Sequence, residues 1–234
     1  MEEILFYIPE GSAATAHAAT LLRRWGFAVT AQPSPRMTHV LLGVPAKGIP
    51  VLPEHVTVFG GNLPAMPQKS IDLLQDEAYL AQNAAITAHC ALAIAMENLP
   101  VTLDGCKTLI IGWGRIGKCL GQLLKNMGAD IAIAARKETD RAMIRALGMK
   151  AVDINDLPDQ LDRYRLIFST APELVLKREQ MVHCQEDCVK IDLASKPGME
   201  DEDVIVARGL PGIHFPESSG KLIADTLLRL CQEE

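Results

Sequence analysis

Three glycines at a fixed spacing carry the clearest chemistry in this sequence. Gly112, Gly114 and Gly117 follow the apolar segment Lys107-Thr-Leu-Ile-Ile111, and an amphipathic segment comes directly after them. In a dinucleotide-binding turn the first glycine permits the turn, the second lets the backbone approach a pyrophosphate, and the third lets the helix pack on the strand. The phosphates then lie at the helix N-terminus, where unpaired N–H groups and the helix dipole favour anions. The residues predicted to form this cradle are Gly112, Gly114, Arg115, Ile116 and Gly117.

The sequence around the glycines supports a strand-helix-strand unit. Apolar residues recur at helical spacing after Gly114, and Gly128 offers a stop for the helix. A second apolar strand, Asp130-Ile-Ala-Ile-Ala134, follows within the length that a dinucleotide fingerprint requires. The alternative is that the glycines serve only a tight turn between strand and helix.

The residues after the second predicted strand bear on which dinucleotide binds. NAD sites usually place an acidic residue there to bind the ribose hydroxyls, whereas a 2′-phosphate calls for cations. Here the strand ends in Arg136 and Lys137. The Arg136 guanidinium can donate two hydrogen bonds to a phosphate, and the Lys137 ammonium group can supply a positive charge beside it. NADP is therefore the preferred cofactor, and NAD remains possible. Asp130 precedes the strand and would lie at the wrong end of the sheet. In the alternative interpretation Arg136 and Lys137 are a solvated helix start, partly neutralised by Glu138 and Asp140.

Composition and charge exclude several classes of protein. The chain has 234 residues and a net charge of −6, without a long basic run, which argues against a nucleic-acid surface. No apolar stretch approaches the ~20 residues of a membrane span, and the start Met-Glu-Glu-Ile-Leu is acidic where a signal peptide is basic. We therefore expect a cytoplasmic protein that binds neither membranes nor nucleic acid.

Six cysteines are scattered through mostly apolar segments. In a cytoplasmic protein such cysteines are most simply reduced thiols of the core. His183, Cys184 and Cys188 would need a fourth ligand to hold zinc. The sequence therefore predicts no metal site.

The order of predicted elements indicates an α/β protein with two domains and a bridging helix. Short strands separated by proline-rich loops predict a small flavodoxin-like α/β domain over residues 1–80, and residues 81–99 read as a long helix that links it to the next domain. Strands alternating with helical segments predict a Rossmann-type, doubly wound parallel sheet over 100–217. Ser218 or Ser219 is predicted to cap a final helix over 218–234, which packs back on the N-terminal domain.

Ligands of such sheets bind at the carboxyl ends of the strands. The segments Thr170-Ala171-Pro172, Asp192 to Gly198 and Gly209 to Gly212 all follow predicted strands. On the bridging helix, Asn83 and Thr87 are four residues apart and share a face. They either contribute to substrate binding or make local hydrogen bonds within the helix.

The segments Asp192-Leu-Ala-Ser-Lys-Pro-Gly198 and Gly209-Leu-Pro-Gly212, placed behind the Gly-x-Gly-Arg-x-Gly turn, give the chain a family resemblance. It resembles the A subunit of bacterial dipicolinate synthase from about Asn83 to the C-terminus, and more distantly the D-2-hydroxyacid and alanine dehydrogenases. The resemblance implies NAD(P)-dependent oxidation of a dihydrodipicolinate-type intermediate to dipicolinate. The partner that it implies is a flavoprotein-like B subunit.

The resemblance also implies roles for residues in the second half of the chain. The nicotinamide would lie over Thr170, Ala171, Pro172 and Ala194, with Asp192 close to the cofactor. A small dicarboxylate needs fixed donors, which Ser195, Lys196 and the Gly209-Leu-Pro211-Gly212 segment are placed to provide. Histidine suits proton transfer near neutral pH, so His214 and His89 are the candidate acid or base, with structural roles as the alternative.

The chain departs from the family at its N-terminal end. Family members carry a Gly-Gly-Asp-x-Arg type loop where this chain has Pro9-Glu-Gly-Ser-Ala13, and their N-terminal domain is longer. They also tend to have Glu at the position of His89 and Gly at that of Met199. Two alternatives therefore stay open: a dehydrogenase for another small 2-hydroxy or 2-amino carboxylate, and a noncatalytic partner protein that binds NADP. Apolar faces on the bridging helix favour a homo-oligomer.

Overall fold

The computed structural model describes residues 4–232, which divide into two compact units. The first unit contains residues 4–86 and 211–232, and the second contains residues 87–210. The strands and helices, numbered along the chain, are β1 (Leu5–Tyr7), α1 (Ala13–Arg24), β2 (Ala28–Thr30), β3 (His39–Leu41), β4 (Thr57–Gly60), β5 (Lys69–Asp72), α2 (Glu77–Asn98), β6 (Lys107–Ile111), α3 (Arg115–Asn126), β7 (Asp130–Ala135), α4 (Glu138–Ala146), β8 (Lys150–Asp153), β9 (Leu166–Ser169), α5 (Arg178–Met181), β10 (Val189–Asp192), β11 (Val204–Val206), α6 (Pro211–His214) and α7 (Pro216–Gln232). The predicted α/β class is confirmed.

The first unit is built on a parallel sheet of five strands in the order β2-β1-β3-β4-β5. This is the order of flavodoxin-like sheets. Ser12 caps α1, since its hydroxyl oxygen accepts a hydrogen bond from the Thr15 N–H at 3.2 Å. Helix α2 starts in this unit, and its residues from 87 onward belong to the second unit.

Helix α7 belongs to the core of the first unit. Its residues Leu222, Ile223 and Leu227 lie in the same buried cluster as Phe6 and Leu22. The prediction that Ser218 or Ser219 caps this helix is wrong: α7 begins at Pro216, and Ser219 is buried within it. Proline suits the first helical turn because that turn needs no N–H from it. Residues 233 and 234 of the predicted helix lie outside the described residues.

The second unit is built on a parallel sheet of six strands in the order β11-β10-β9-β6-β7-β8. Counted from β6, this is the strand order of a dinucleotide-binding Rossmann fold. The strand order reverses between β6 and β9, which pair from Thr108 and Leu166 to Ile111 and Ser169. In open sheets of this kind a crevice for ligands forms at that point, outside the carboxyl ends of the strands.

A partly buried ion pair links β10 to the segment before β11, and it supplies a prediction about stability. The Lys190 Nζ atom on β10 donates to Asp201 Oδ2 at 2.5 Å, with the Lys190 side chain only 8% exposed. Asp201→Asn is expected to lower the free energy of unfolding by about 2–3 kcal/mol, less than for a fully buried pair, because Asp201 is itself 23% exposed. Lys190→Met is expected to cost less, since it leaves a carboxylate that water still reaches. Urea unfolding at pH 7 measures both.

The same pair fixes a pH dependence. The hydrogen bond from Lys190 holds the pKa of Asp201 below its usual value. A lowered pKa in the folded state stabilises the fold above the unfolded-state pKa of about 3.9, and this stabilisation is lost as the pH falls through the lowered pKa. The stability difference between wild type and Asp201→Asn is therefore expected to shrink on acidification below about pH 4. A difference that stays constant would contradict this assignment.

Candidate functional site

The glycine turn between β6 and α3 has the geometry that the sequence predicts. Gly112 has φ +107°, and a Cβ atom there would lie 2.5 Å from Thr170 Oγ1. A Cβ atom on Gly117 would lie 2.3 Å from the Gly112 carbonyl oxygen. Both positions therefore require glycine, the first for backbone conformation and the second for the close approach of α3 to the turn.

Gly114 differs, because nothing in its own surroundings requires glycine. It precedes α3 with φ −76°, and no atom lies within 4 Å of a Cβ atom built there. The first turn of α3 contains no acidic residue, and no side chain caps it. The turn therefore leaves open space above a helix N-terminus, which fits a pyrophosphate that approaches the backbone. Of the other predicted residues, Ile116 is half-buried and Arg115 is exposed with an interaction of its own.

Thr170 joins the ends of β6 and β9 beneath the turn. Its N–H and its hydroxyl both donate to the Ile111 carbonyl oxygen, at 2.8 and 3.0 Å. Ala171 is buried and Pro172 is exposed. Thr170 thus fixes the wall of the turn, and the following two residues continue along the edge where the crevice lies.

Arg136 and Lys137 follow β7 and are both exposed. The Arg136 Nη1 atom contacts the Glu173 carboxylate, at 2.9 Å to Oε1 and 3.1 Å to Oε2. Glu138, the carboxylate next along the chain, binds Arg141 and Arg145 instead. The hydrogen bond from Arg145, and after it the hydrogen bond from Arg141, lowers the pKa of Glu138. The carboxylate that pairs with Arg136 is therefore that of Glu173, which follows β9 and lies 37 residues further along the chain.

Arg141 has a structural role beside this pair. Its Nη1 atom donates to the carbonyl oxygens of Ala135 and Arg136, each at 2.8 Å, and lies 2.7 Å from Asp153 Oδ2. Its side chain is only 15% exposed. Arg141 therefore holds the backbone of the turn after β7, which sets where the exposed side chain of Arg136 begins.

A cavity of about 330 Å³ lies at this edge of the sheet. Its walls come from the segments after β7, β8 and β9, and its lining residues are Arg136, Ile154, Asn155, Pro158, Glu173, Leu174, Val175 and Gln180. A larger cavity of about 480 Å³ lies beside Lys107, Arg165 and Gln185, which lie at or before the starts of β6, β9 and β10. Because ligands of such sheets bind outside the carboxyl ends, we assign the smaller cavity to the candidate site.

Asp192 shapes the loop after β10. It is buried, its Oδ1 atom accepts from the Ala194 N–H at 3.0 Å, and its Oδ2 atom accepts from the Gly198 N–H at 2.7 Å. Arg208 Nε adds a hydrogen bond to the Ala194 carbonyl oxygen at 2.9 Å. Both oxygens of Asp192 thus hold backbone, so the residue positions the loop, while Ser195 and Lys196 stay exposed at its tip.

The predicted site residues are divided between the two units. The second unit brings together the cofactor residues, Ser195, Lys196 and, after β11, Gly209 with φ +64°. Thr87, which is buried, and the exposed His89 lie on the part of α2 in this unit. The first unit contains Asn83, Pro211, Gly212 and the exposed His214, which ends α6. Asn83 and Thr87 each have an interaction partner within the structure.

Two further observations bear on the other predicted properties. Within residues 4–232 there is no cluster of three or more His, Cys, Asp or Glu side chains that would hold a metal ion. Cys184 and Cys188 instead interact through their thiols, and this hydrogen bond lowers the pKa of Cys184 and raises that of Cys188. None of the described helices is both long enough and apolar enough to cross a membrane.

Several known proteins are similar to this chain in sequence. Residues 93–203 match the family described as shikimate / quinate 5-dehydrogenase. The A subunit of dipicolinate synthase from Bacillus subtilis (strain 168) is 24% identical over 197 residues, which cover 77% of this chain and 66% of that protein. The chain thus spans slightly less than two thirds of the length of this curated relative.

Solved structures show the same fold. The crystal structure of the dipicolinate synthase A subunit from Bacillus halodurans matches with a TM-score of 0.85 at 21% identity, over 97% of each chain. A transhydrogenase from Sinorhizobium meliloti matches with a TM-score of 0.75 at 14% identity, over 99% of this chain and 94% of that one. The chain is therefore similar in sequence to the dipicolinate synthase A subunit and shares its fold, and residues 93–203 match a dehydrogenase family.

Proposed function

We propose that the chain is an NADP-dependent oxidoreductase that oxidises a dihydrodipicolinate-type dicarboxylate to dipicolinate. The observation that carries the proposal is the turn at Gly112 to Gly117, in which two glycines are required by close contacts and Gly114 alone opens onto free space. The likeness to the A subunit of dipicolinate synthase supplies the substrate class.

The second unit supplies the residues that would hold the cofactor. The pyrophosphate would bind the first turn of α3 beside Gly114, and Arg136 with Lys137 would bind the 2′-phosphate. The cavity, whose lining is partly polar and partly apolar, would take the adenine, because Ile154, Leu174 and Val175 can contact the face of a flat base. When bound, the nicotinamide ring accepts a hydride from the substrate.

The loop after β10 would orient the dicarboxylate. Asp192 and Arg208 fix its backbone, so that Ser195 and Lys196 present a hydroxyl and an ammonium group at the same sheet edge as the cofactor turn. Aromatisation of a dihydropyridine ring releases one hydride and one proton. We propose His214 or His89 as the group that accepts the proton. The partner proposed for the reaction is a flavoprotein-like B subunit.

Arg136→Ala tests the cofactor assignment. Removal of a guanidinium from a phosphate costs roughly 1.5–3 kcal/mol, which corresponds to about a ten- to hundredfold weaker affinity for NADPH. The affinity for NADH is expected to change little, because NADH lacks the 2′-phosphate. Fluorescence titration measures both, with Arg145→Ala as the control cation. Unchanged NADPH binding in Arg136→Ala would contradict the assignment.

The reaction is tested by incubating the chain with NADP and a dihydrodipicolinate while following dipicolinate absorbance, both with and without a cognate B subunit. Dipicolinate formation that depends on this chain supports the proposal. Activity with another 2-hydroxy or 2-amino carboxylate instead would assign a different dehydrogenase. NADPH binding without turnover of any of these substrates would indicate a noncatalytic cofactor-binding protein.

A further inference from the structure

Resting on the proposed NADP site, we propose that Glu173 determines cofactor preference by competing with the 2′-phosphate of NADP for Arg136. The pair joins the turn after β7 to the turn after β9, and β6 lies between these two strands in the sheet. Both residues line the cavity of about 330 Å³. A nucleotide that binds in this cavity therefore contacts an Arg136 side chain that is already paired with Glu173.

The pair is built to exchange partners. One guanidinium nitrogen, Nη1, contacts both oxygens of Glu173, and the side chains are 67% and 45% exposed. Exposed ion pairs of this kind contribute little to stability, so the fold does not depend on keeping the pair closed. Arg136 can thus leave Glu173 for a phosphate, which can accept two parallel hydrogen bonds from two guanidinium nitrogens.

The other two arginines beside the pair are less suited to a ligand in the cavity. Arg141 is held by Asp153, Glu138 and two backbone carbonyl oxygens, and its side chain is only 15% exposed. Arg145 forms an exposed pair with Glu138 but is not among the residues that line the cavity. Arg136 is therefore the guanidinium of this turn that a ligand would recruit, and Glu173 is the carboxylate that it would displace.

The consequence for the two cofactors is opposite in sign. A 2′-phosphate placed on Arg136 must either displace Glu173 or lie next to it as a like charge, and both lower the affinity for NADP. The ribose 2′-hydroxyl of NAD is neutral and can donate a hydrogen bond to the Glu173 carboxylate. Glu173 thus narrows the preference for NADP that Arg136 and Lys137 would otherwise create, which makes it a specificity-determining residue.

Glu173→Gln tests this inference, because glutamine keeps the shape and removes the charge. The variant is expected to bind NADPH and 2′,5′-ADP about three- to tenfold more tightly, and NADH and 5′-AMP equally well or up to about threefold more weakly, by isothermal titration calorimetry at low salt. Glu202→Gln, which removes the partner of Arg178 from another exposed ion pair in the same unit, is the matched control and is expected to change none of these affinities.

The Arg136→Ala background separates competition from simple charge removal. If Glu173 acts through Arg136, most of the gain from Glu173→Gln is expected to disappear in the double variant Arg136→Ala/Glu173→Gln. An equal gain in both backgrounds, or no gain in either, overturns the inference.

The outcomes also separate this inference from the proposed function. Cofactor binding by the wild type with an unchanged NADPH to NADH ratio in Glu173→Gln overturns only the role of Glu173. Failure of wild type and variant to bind either dinucleotide overturns the proposed function. In that case tighter 2′,5′-ADP binding by Glu173→Gln still supports competition for Arg136, and its absence overturns that as well.

Discussion

Gly220→Ala is expected to lower the melting temperature of the protein by about 6–12 °C. A Cβ atom on Gly220 would lie 2.4 Å from the Ala14 carbonyl oxygen and 2.8 Å from His17 Cβ, so α7 can no longer pack at its present distance from α1. Overpacking typically costs ~1–3 kcal/mol. We expect the upper value because the Ala14 carbonyl oxygen is a backbone atom and cannot rotate away from the added methyl group as a side chain could. Each ~1 kcal/mol shifts the melting temperature by ~2–4 °C at this chain length. Differential scanning calorimetry measures the shift.

Gly212→Ala is the matched control for that variant. A Cβ atom on Gly212 meets only Ala14 Cβ, at the ordinary contact distance of 3.8 Å, and Gly212 has no positive φ. Its melting temperature is expected to stay within about 1 °C of the wild type. Equal shifts in both variants would show that the close approach at Gly220 does not determine how α7 packs.

Gly114→Ala is expected to weaken NADPH binding by at least about tenfold without lowering the melting temperature. Alanine fits the backbone, since φ is −76° and no atom lies within 4 Å of the added methyl group. The methyl group would instead occupy the open space in which the pyrophosphate has to approach the backbone, and a loss of about 1.4 kcal/mol corresponds to tenfold. Fluorescence titration and a thermal melt measure the two properties.

Gly48→Ala is the control for this second variant, because Gly48 also has open surroundings and no positive φ. It is expected to change neither property. If Gly114→Ala binds NADPH with an affinity within about twofold of the wild type, the pyrophosphate does not bind at this turn. A large fall in melting temperature would show instead that Gly114 has a structural role.

The cofactor half of the fold was predictable because its signals are local. The apolar run before Gly112 and the helical spacing after Gly114 predict β6 and α3, and the structure confirms both. Strand β5 gave no such signal, since Lys69-Ser-Ile-Asp72 has one apolar residue and becomes a strand through its backbone pairing with β4. The start of α7 was misplaced because a favoured N-cap residue, Ser219, is buried inside the helix and the helix begins at a proline.

The strand ends that form the candidate site could be predicted from the sequence, but most of the side-chain contacts within it could not. The carboxyl ends of β6, β7, β9 and β10 meet at one edge, as parallel strands require. The partner of Arg136 could not be predicted, because Glu173 is distant in sequence and carries no motif. The role of Asp192 was likewise hidden, since hydrogen bonds to its carboxylate from the Ala194 and Gly198 N–H groups depend on how the loop folds.

The first unit is made of two segments that are separated along the chain by the whole second unit, and this constrains the order of folding during synthesis. Its strands are all made within the first 72 residues, but its core also contains Leu222, Ile223 and Leu227 of α7. Every residue of the second unit, from 87 to 210, leaves the ribosome before α7 does. The second unit can therefore complete its core while the core of the first unit, to which α1 already contributes, still lacks α7. The unit that begins first along the chain is thus the last one whose core can be completed.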